Sequence, residues 1–543
     1  MIKNIKIRVR PEVWADAQRL EQEVCQQNAI SPKSLRGLRT LHRSIDARQR
    51  QVMIQLDLDL YINEEPPQQL FVPKQYRAIG AAAPQAIVVG LGPGGLFAAL
   101  KLIELGIKPI VLERGRNVTD RRRDVAQITR TQQVDPESNF CFGEGGAGAF
   151  SDGKLFTRSK KRGNVQGILE RLCQFGADTG ILDAAHPHIG TDRLPGVIAN
   201  IREEILRCGG EIHFETCMTE LIVRNDKVCG VRTNRGEEYL GPVILATGHS
   251  ARDVYRMLYR EQIPIETKGI AMGVRLEHPQ QLIDQIQYHS REGRGKWLPA
   301  AEYSFVTQSQ GRGVYSFYMC PGGVVVPSAT GPEQVVVNGM SASARGSRWA
   351  NSAMVVEIRT EDVAAMLSEC LDAELPTCRF LDEMGVADVK NSALAVMALQ
   401  ESVEKMAWLN GTRSQVAPAQ RMMDFIQGKC SDQLAESSYT PGVVASPLHF
   451  WMPKFISSRL REGLSTFGKN AHGFATNQAT LIAAEARTSS PVRIPRDREL
   501  LHHPTIAGLY PCGEGAGFAG GIVSAAMDGE RCAVALVQQC FAK

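Results

Sequence analysis

At 543 residues, 43% hydrophobic and 22% charged, the chain has ordinary globular composition and room for roughly two to four domains. A formal net charge of +4 over that length argues for neither nucleic acid nor an anionic membrane, and no run approaches the ~20 uninterrupted apolar residues of a membrane span. Thirteen cysteines, an odd number without a CxxC or CxxxC pair, argue against a disulfide framework and fit reduced thiols. The opening MIKNIKIRVRPEVW has no apolar core followed by a small-residue cleavage site, so a cytoplasmic location without membrane partners is expected.

Residues 1–62 read as a separate β-α-β-β module. Ile5, Ile7 and Val9 alternate as in a strand, and Pro11 opens a helix whose Val13, Ala17, Leu20 and Val24 share a face. Ile54, Leu56, Leu58, Leu60 and Ile62 alternate with Gln55, Asp57, Asp59 and Tyr61 in a half-buried strand. Between them, a further strand carries Lys33, Arg36, Arg39, Arg43, Arg48 and Arg50 against one acid, Asp46. That strip is either a basic docking face for RNA, an anionic substrate or a protein, or a solvated strand face neutralised by the acidic strand beside it. Residues 63–84, rich in proline, alanine and glycine and without periodicity, read as a linker.

The chain is organised around Ala86 to Arg114. An apolar run, Ile87-Val88-Val89, is followed at once by Gly90-Leu91-Gly92-Pro93-Gly94-Gly95, a GxGxxG match. An apolar helical stripe over Leu96, Ala99, Leu100 and Ile103 comes next, then a second strand, Ile110-Val111-Leu112, closed by Glu113 and Arg114. In a dinucleotide site Gly90 permits the tight turn, Gly92 admits a pyrophosphate to the backbone, and Gly95 lets helix and strand pack. Glu113 stands 18 residues past Gly95, about where that fold places the carboxylate for the adenosine ribose. With 50 glycines in the chain, the motif is weak alone, and its strand, helix and acid carry the assignment.

Further on, Arg121-Arg122-Arg123 reads as a solvated helix face or a phosphate contact. The stretch Asn139 to Lys154 holds a second glycine cluster, with Gly145, Gly146, Ser151 and Asp152, and aromatic residues on both flanks; it reads as a loop wrapping a planar or phosphorylated ligand. Strand-like runs from Leu221 and Val228 and a third, Val243-Ile244-Leu245, lead into Thr247-Gly248. Near the C-terminus the strand around Leu509-Tyr510-Pro511 meets Gly513-Glu514, and a helix starts at Gly521-Ile522. A carboxylate there can accept from ribityl hydroxyls, and the helix N-terminus can face the pyrimidine edge of a flavin.

On these motifs the chain resembles the glutathione-reductase-like FAD superfamily, and more narrowly a bacterial family of uncharacterised FAD-dependent dehydrogenases, through SIDAR, GLGPGG, GEGGAGAFSDGKL, HIGTD, ATGHSARD, MCPGG, NGMS, RTSSPVRI and GLYPCGEGAG. The resemblance implies an α/β fold: a Rossmann-like FAD-binding domain with a β-meander, an inserted α+β substrate domain, and the small N-terminal β-α-β-β module. The expected divisions are 1–80, 81–262, 263–485 and 486–543. It implies FAD as cofactor and places Met218 near the adenine. Superfamily members commonly carry aspartate where this chain has Glu514. The second GxGxxG domain and the redox cysteine pair of the disulfide reductases are not visible, so NAD(P)H is expected at most as a transient electron donor.

Within the insert, Val314 to Val326 reads as two strands around Pro321-Gly322-Gly323, Val335 to Gly339 as a strand and turn, and helical periodicity is expected after Asn351 through Val355, Ile358, Val363 and Met366. Lys154, His249 and Cys320 are candidate catalytic groups, and Asn338, Ser341, Arg345, Asn351, His472 and Arg487 candidate substrate contacts, each alternatively a turn-forming residue. No metal ligand set is expected. The expected activity is an FAD-dependent oxidoreductase passing hydride through flavin N5 to or from a small-molecule substrate or electron carrier; the alternatives are a flavin-containing RNA-binding or docking protein and a redox sensor using Cys141 or Cys512.

Overall fold

The computed structural model describes residues 1–157 and 163–541. Its centre is a five-stranded parallel sheet in the order Leu509–Pro511, Val243–Leu245, Gln85–Val89, Lys108–Leu112 and Glu211–His213. Apart from the edge strand Glu211–His213, these strands are short and almost wholly apolar because helices cover the sheet. Two of those helices, Pro93–Glu104 and Ile522–Cys540, pack so closely that a Cβ on Gly529 would lie 2.0 Å from the carbonyl oxygen of Gly94. Strands Met218–Arg224, Lys227–Thr233 and Glu238–Leu240 form an antiparallel meander before the chain returns to the sheet.

A second, seven-stranded sheet is built from Val306–Ser309, Arg312–Cys320, Trp349–Ile358, Ile270–Pro279, Thr480–Glu485, Ala417–Arg421 and Val443–Ala445, antiparallel except for the last pair. Here the expected helix after Asn351 is wrong. Trp349–Ile358 is a strand paired on both edges, and the helix begins only at Thr360. Its two faces are both buried, which erases the period of two, and the β-branched Val355, Val356 and Ile358 suit a strand rather than a helix. Asn338-Gly339, expected as a turn, lies inside the strand Val337–Ser341, which pairs with Gly323–Pro327.

The N-terminal unit has the expected order, with sheet Ile2–Val9, Met53–Ile62, Leu35–Asp46 and helix Ala17–Asn28. Pro11–Trp14 forms only one turn, because Asp16 ends it and caps a new helix through the N–H groups of Gln18 and Arg19; Ala17 is left exposed. In the basic strand Arg39 lies opposite Asp59 and His42 opposite Asp57, while Arg48 binds Asp46 and Arg43 stands over the Trp14 ring. Of the six basic residues, Arg39 thus faces an acid across the strands, while Arg43 and Arg48 find acids elsewhere, in Asp183 and Asp46. The unit is also docked. The N–H of Arg43 donates to the Asp183 carbonyl (2.7 Å), Ala185 returns a bond to Arg43, the His289 ring donates to the Ala47 carbonyl (2.9 Å), and Leu298 packs on its core.

Candidate functional site

A cleft of about 1550 Å³, its open mouth included, runs from the ends of the parallel strands to the seven-stranded sheet. The turn after Gln85–Val89 forms its floor, and three glycines there differ in what requires them. Gly90 has φ +97°, and a Cβ on it would stand 2.5 Å from the Ala246 carbonyl oxygen. A Cβ on Gly95 would meet the carbonyl oxygen of Gly90 at 1.9 Å. Gly92, by contrast, has φ −75° and its Cβ would find only Gly146 Cα, at 3.9 Å. The fold requires the first two glycines; at Gly92 only the cleft gains from one. Gly92 also starts the helix Pro93–Glu104 without a side-chain cap, leaving its first N–H groups for a ligand.

Glu113 sits beside this turn, buried. One carboxylate oxygen accepts the Leu91 N–H (2.8 Å), the other those of Gly115 (2.9 Å) and Gly143 (3.0 Å). It therefore joins the turn to the second glycine cluster. That cluster is held by Arg121, which is wholly buried and donates to the carbonyls of Asn139, Phe140, Gly143 and Glu144. Arg121 belongs to the triplet read as solvated or phosphate-bound. Its real role is to satisfy the backbone of a loop that has no secondary structure to do so. Arg114 lies over the Phe142 ring at 4.3 Å and binds Glu137 and Asp253.

The opposite wall combines the seven-stranded sheet and the chain just after it, through Tyr318, Cys320, Glu485, Arg487 and Thr488, with the strand Val337–Ser341, through Asn338 and Gly339. Arg275, fully buried, organises it by donating to Asn351 Oδ1 (2.9 Å), Glu485 (3.1 Å) and the Tyr318 carbonyl (2.9 Å). Tyr318 sits in a bulge with φ +45°, costly for an aromatic residue, and its hydroxyl donates to the Gly520 carbonyl just before the C-terminal helix. It thus closes the cleft over Gly521. Sequence reasoning missed Tyr318, whose backbone state has no sequence signature.

Charge in the cleft is mostly paired. Arg487 and Arg252 both grip Glu404 with two bonds each, of 2.7–2.9 Å. Burial would raise the Glu404 carboxyl, but the two guanidiniums more than offset that and bring it to about 2. Asp152, likewise buried, is brought to about 2 by Lys154 (2.7 Å) and Arg345 (2.8 Å). His249 goes the other way: burial, then the Arg487, Arg252 and Lys268 charges, lower it to about 4, so it is neutral at physiological pH. Burial raises Glu514 to about 7, partly offset by Lys268, and raises the Cys320 thiol despite Arg275, which keeps it protonated.

The cleft brings together Gly90, Gly92, Pro93, Gly94, Glu113, Arg114, Gly146, Ser151, Asp152, Met218, Thr247, Gly248, Gly513, Glu514, Gly521 and Ile522, with Lys154, His249, Cys320, Asn338 and Arg487. Gly95 and Gly145 lie outside it. Gly95 acts in packing, and Gly145, at φ +81°, leaves no room for a Cβ beside Ile198. Four expected substrate contacts also fall outside: Ser341 donates to the Pro321 carbonyl, Arg345 supports Asp152, Asn351 serves Arg275, and His472 is exposed after the helix Lys454–Asn470. Polarity near glycine drew attention to all four, but Ser341, Arg345 and Asn351 bind partners within the protein and His472 faces outward.

Residues 269–488 match the family described as "FAD-dependent protein, C-terminal domain-like", and residues 1–61 match a domain of unknown function, DUF8436. The first match covers the part of the chain that carries the seven-stranded sheet, less than half of its length, and supports an FAD-dependent protein. An uncharacterized protein of Clostridium beijerinckii is 38% identical over 538 residues, 96% of each chain. The chain belongs to the same family as that protein. A digeranylgeranylglycerophospholipid reductase 2 of Methanococcoides burtonii is 29% identical over 161 residues, 28% of this chain and 34% of that one. Among solved structures, CtdE in complex with FAD is 12% identical and covers 84% of each chain with a TM-score of 0.33. Among the described residues no helix is long and apolar enough to cross a membrane.

Proposed function

We propose that the protein is an FAD-dependent oxidoreductase of the glutathione-reductase-like superfamily, with residues 263–485 forming the substrate unit over the cofactor cleft. The observation that carries this is the contrast at the first turn: Gly92 has space for a side chain that no protein atom fills, beside two glycines the fold itself demands. A backbone that must approach a pyrophosphate explains that choice. When bound, FAD would take or give a hydride at its N5 position.

The chain's own residues then have distinct tasks. The uncapped N–H groups after Gly92 would hold the phosphates, and Glu113 fixes the turn that presents them. Glu514 would serve the ribityl hydroxyls and, with its carboxyl raised by burial to about 7, could hold a proton there. Neutral His249 offers a hydrogen-bonding imidazole, while Lys154 offers a positive charge at the mouth of the cleft. The hydroxyl bond to Gly520 sets Tyr318 across the far wall beside Gly521. The test is the visible spectrum of the purified protein without oxygen, before and after NADH or NADPH. Flavin bands that bleach establish a nicotinamide-driven enzyme; bands that persist assign reduction to another substrate or carrier; no bands, even after adding FAD, overturn the reading.

A further inference from the structure

Where the strand Leu509–Pro511 meets the C-terminal helix, Cys512, Asp528 and Cys532 converge, with their Sγ and carboxylate atoms within 4.8 Å of one another. Both cysteines are fully buried. The trio has the composition of a metal site, yet its centre is already cationic. Arg496 donates to both Asp528 oxygens at 2.6 and 2.9 Å and stands 3.4 Å from Cys532 Sγ, while the Gly513 N–H occupies Asp528 as well (2.8 Å). A divalent ion would have to displace that guanidinium. What remains is a pair of thiols within reach of each other, one of them beside a fixed positive charge.

We propose that Cys512 and Cys532 form an oxidisable dithiol beside the cleft. The two sulfurs differ in role. Cys512 borders the cleft, and its Sγ lies 3.5 Å from where a Cβ on Gly94 would be, so of the two buried sulfurs it is the one beside the cleft. Cys532 is the one that receives a hydrogen bond from Arg496, at 3.4 Å. The oxidant, a hydroperoxide, transfers one oxygen to Cys512 and leaves as water when the oxidant is hydrogen peroxide. The Cys532 thiolate then attacks the sulfenic sulfur, the S–O bond breaks, and hydroxide leaves and is protonated. In balance, two thiols and one hydrogen peroxide give one disulfide and two waters. The pair rests on the cleft being a ligand site, since a ligand bound there screens Cys512.

The experiment treats the folded full-length protein with hydrogen peroxide, with and without excess FAD, then alkylates free thiols and maps peptides by mass spectrometry. The expected product is a 512–532 cross-link that dithiothreitol reverses, forms several-fold more slowly with FAD, and is absent in Cys532→Ser, where Cys512 instead proceeds to sulfinic acid. Cys532→Ala replaces the serine variant if the latter does not fold. Both thiols remaining alkylatable, or Cys512 over-oxidised without a cross-link in the wild type, would overturn the dithiol. A cross-link whose rate ignores FAD supports the dithiol and counts against the cofactor's position beside Cys512.

Discussion

Replacing Gly92 separates what the fold needs from what the ligand needs. At φ −75° and ψ −175° the residue is in extended backbone open to any side chain, and an added Cβ has 3.9 Å of clearance. Gly→Ala at a compatible position gains about 0.4–1 kcal/mol through the unfolded chain, and loss of glycine at an N-cap costs a similar amount. Gly92→Ala should therefore leave stability within about 1 kcal/mol of wild type. Gly92→Val puts two methyl groups where the pyrophosphate would lie; overpacking of about 1–3 kcal/mol corresponds to FAD affinity weakened roughly 5- to 150-fold. The assay is fluorescence titration with FAD beside thermal unfolding of the same samples. Tight, stoichiometric FAD in Gly92→Val would refute the reasoning, as would a variant that loses its fold along with its flavin.

Gly95→Ala should behave oppositely, since its Cβ meets the backbone of Gly90 at 1.9 Å; the melting temperature falls whether or not FAD is present, and an unchanged melt removes the packing argument. Glu404→Gln leaves two buried guanidiniums facing one neutral group and should cost about 3–5 kcal/mol at neutral pH. Because the Glu404 carboxyl falls from its ordinary 4.5 to about 2 on folding, its stabilisation is complete above pH 4.5 and is lost as pH falls toward 2. Wild type should lose stability across that window more steeply than Glu404→Gln in acid-unfolding curves, and parallel curves would contradict this. Tyr318→Phe removes a hydrogen bond to Gly520, with a net effect of about 0.5–1.5 kcal/mol; stopped-flow release of FAD should quicken up to roughly tenfold, and an unchanged rate would deny Tyr318 its closing role. Arg121→Met strands four loop carbonyls, so limited proteolysis should cut within 139–154, and resistance there would count against that role.

The parts of the fold that were legible in sequence are those where local chemistry is decisive. A strand that runs straight into Gly90-Leu91-Gly92 leaves few alternatives, and Ile54 to Ile62 announces one buried face by strict alternation. The strand Trp349–Ile358 was not legible, because a central strand buried on both faces shows apolar residues at every spacing, helical ones included. Arg121 was hidden for another reason: three consecutive arginines do not say which one turns inward, and only the loop it serves decides. The cleft's floor is local in sequence and was read almost whole. Its far wall is assembled from residues 318–339 and 485–488, whose meeting depends on the pairing of the seven-stranded sheet, so Asn351 and His472 could not be told from true lining residues.

The docked N-terminal unit has a mechanical consequence. It holds residues 183–185 by paired backbone bonds through Arg43, and residues 289–298 through Ala47 and Leu298. The first segment lies between the helices Val165–Gln174 and Leu194–Arg207, the second follows the helix Gln280–Tyr288 that continues from Ile270–Pro279. A single small sheet thus acts as an external brace between the parts of the chain that carry the parallel sheet and the seven-stranded sheet, fastened more than forty residues upstream of the first glycine turn.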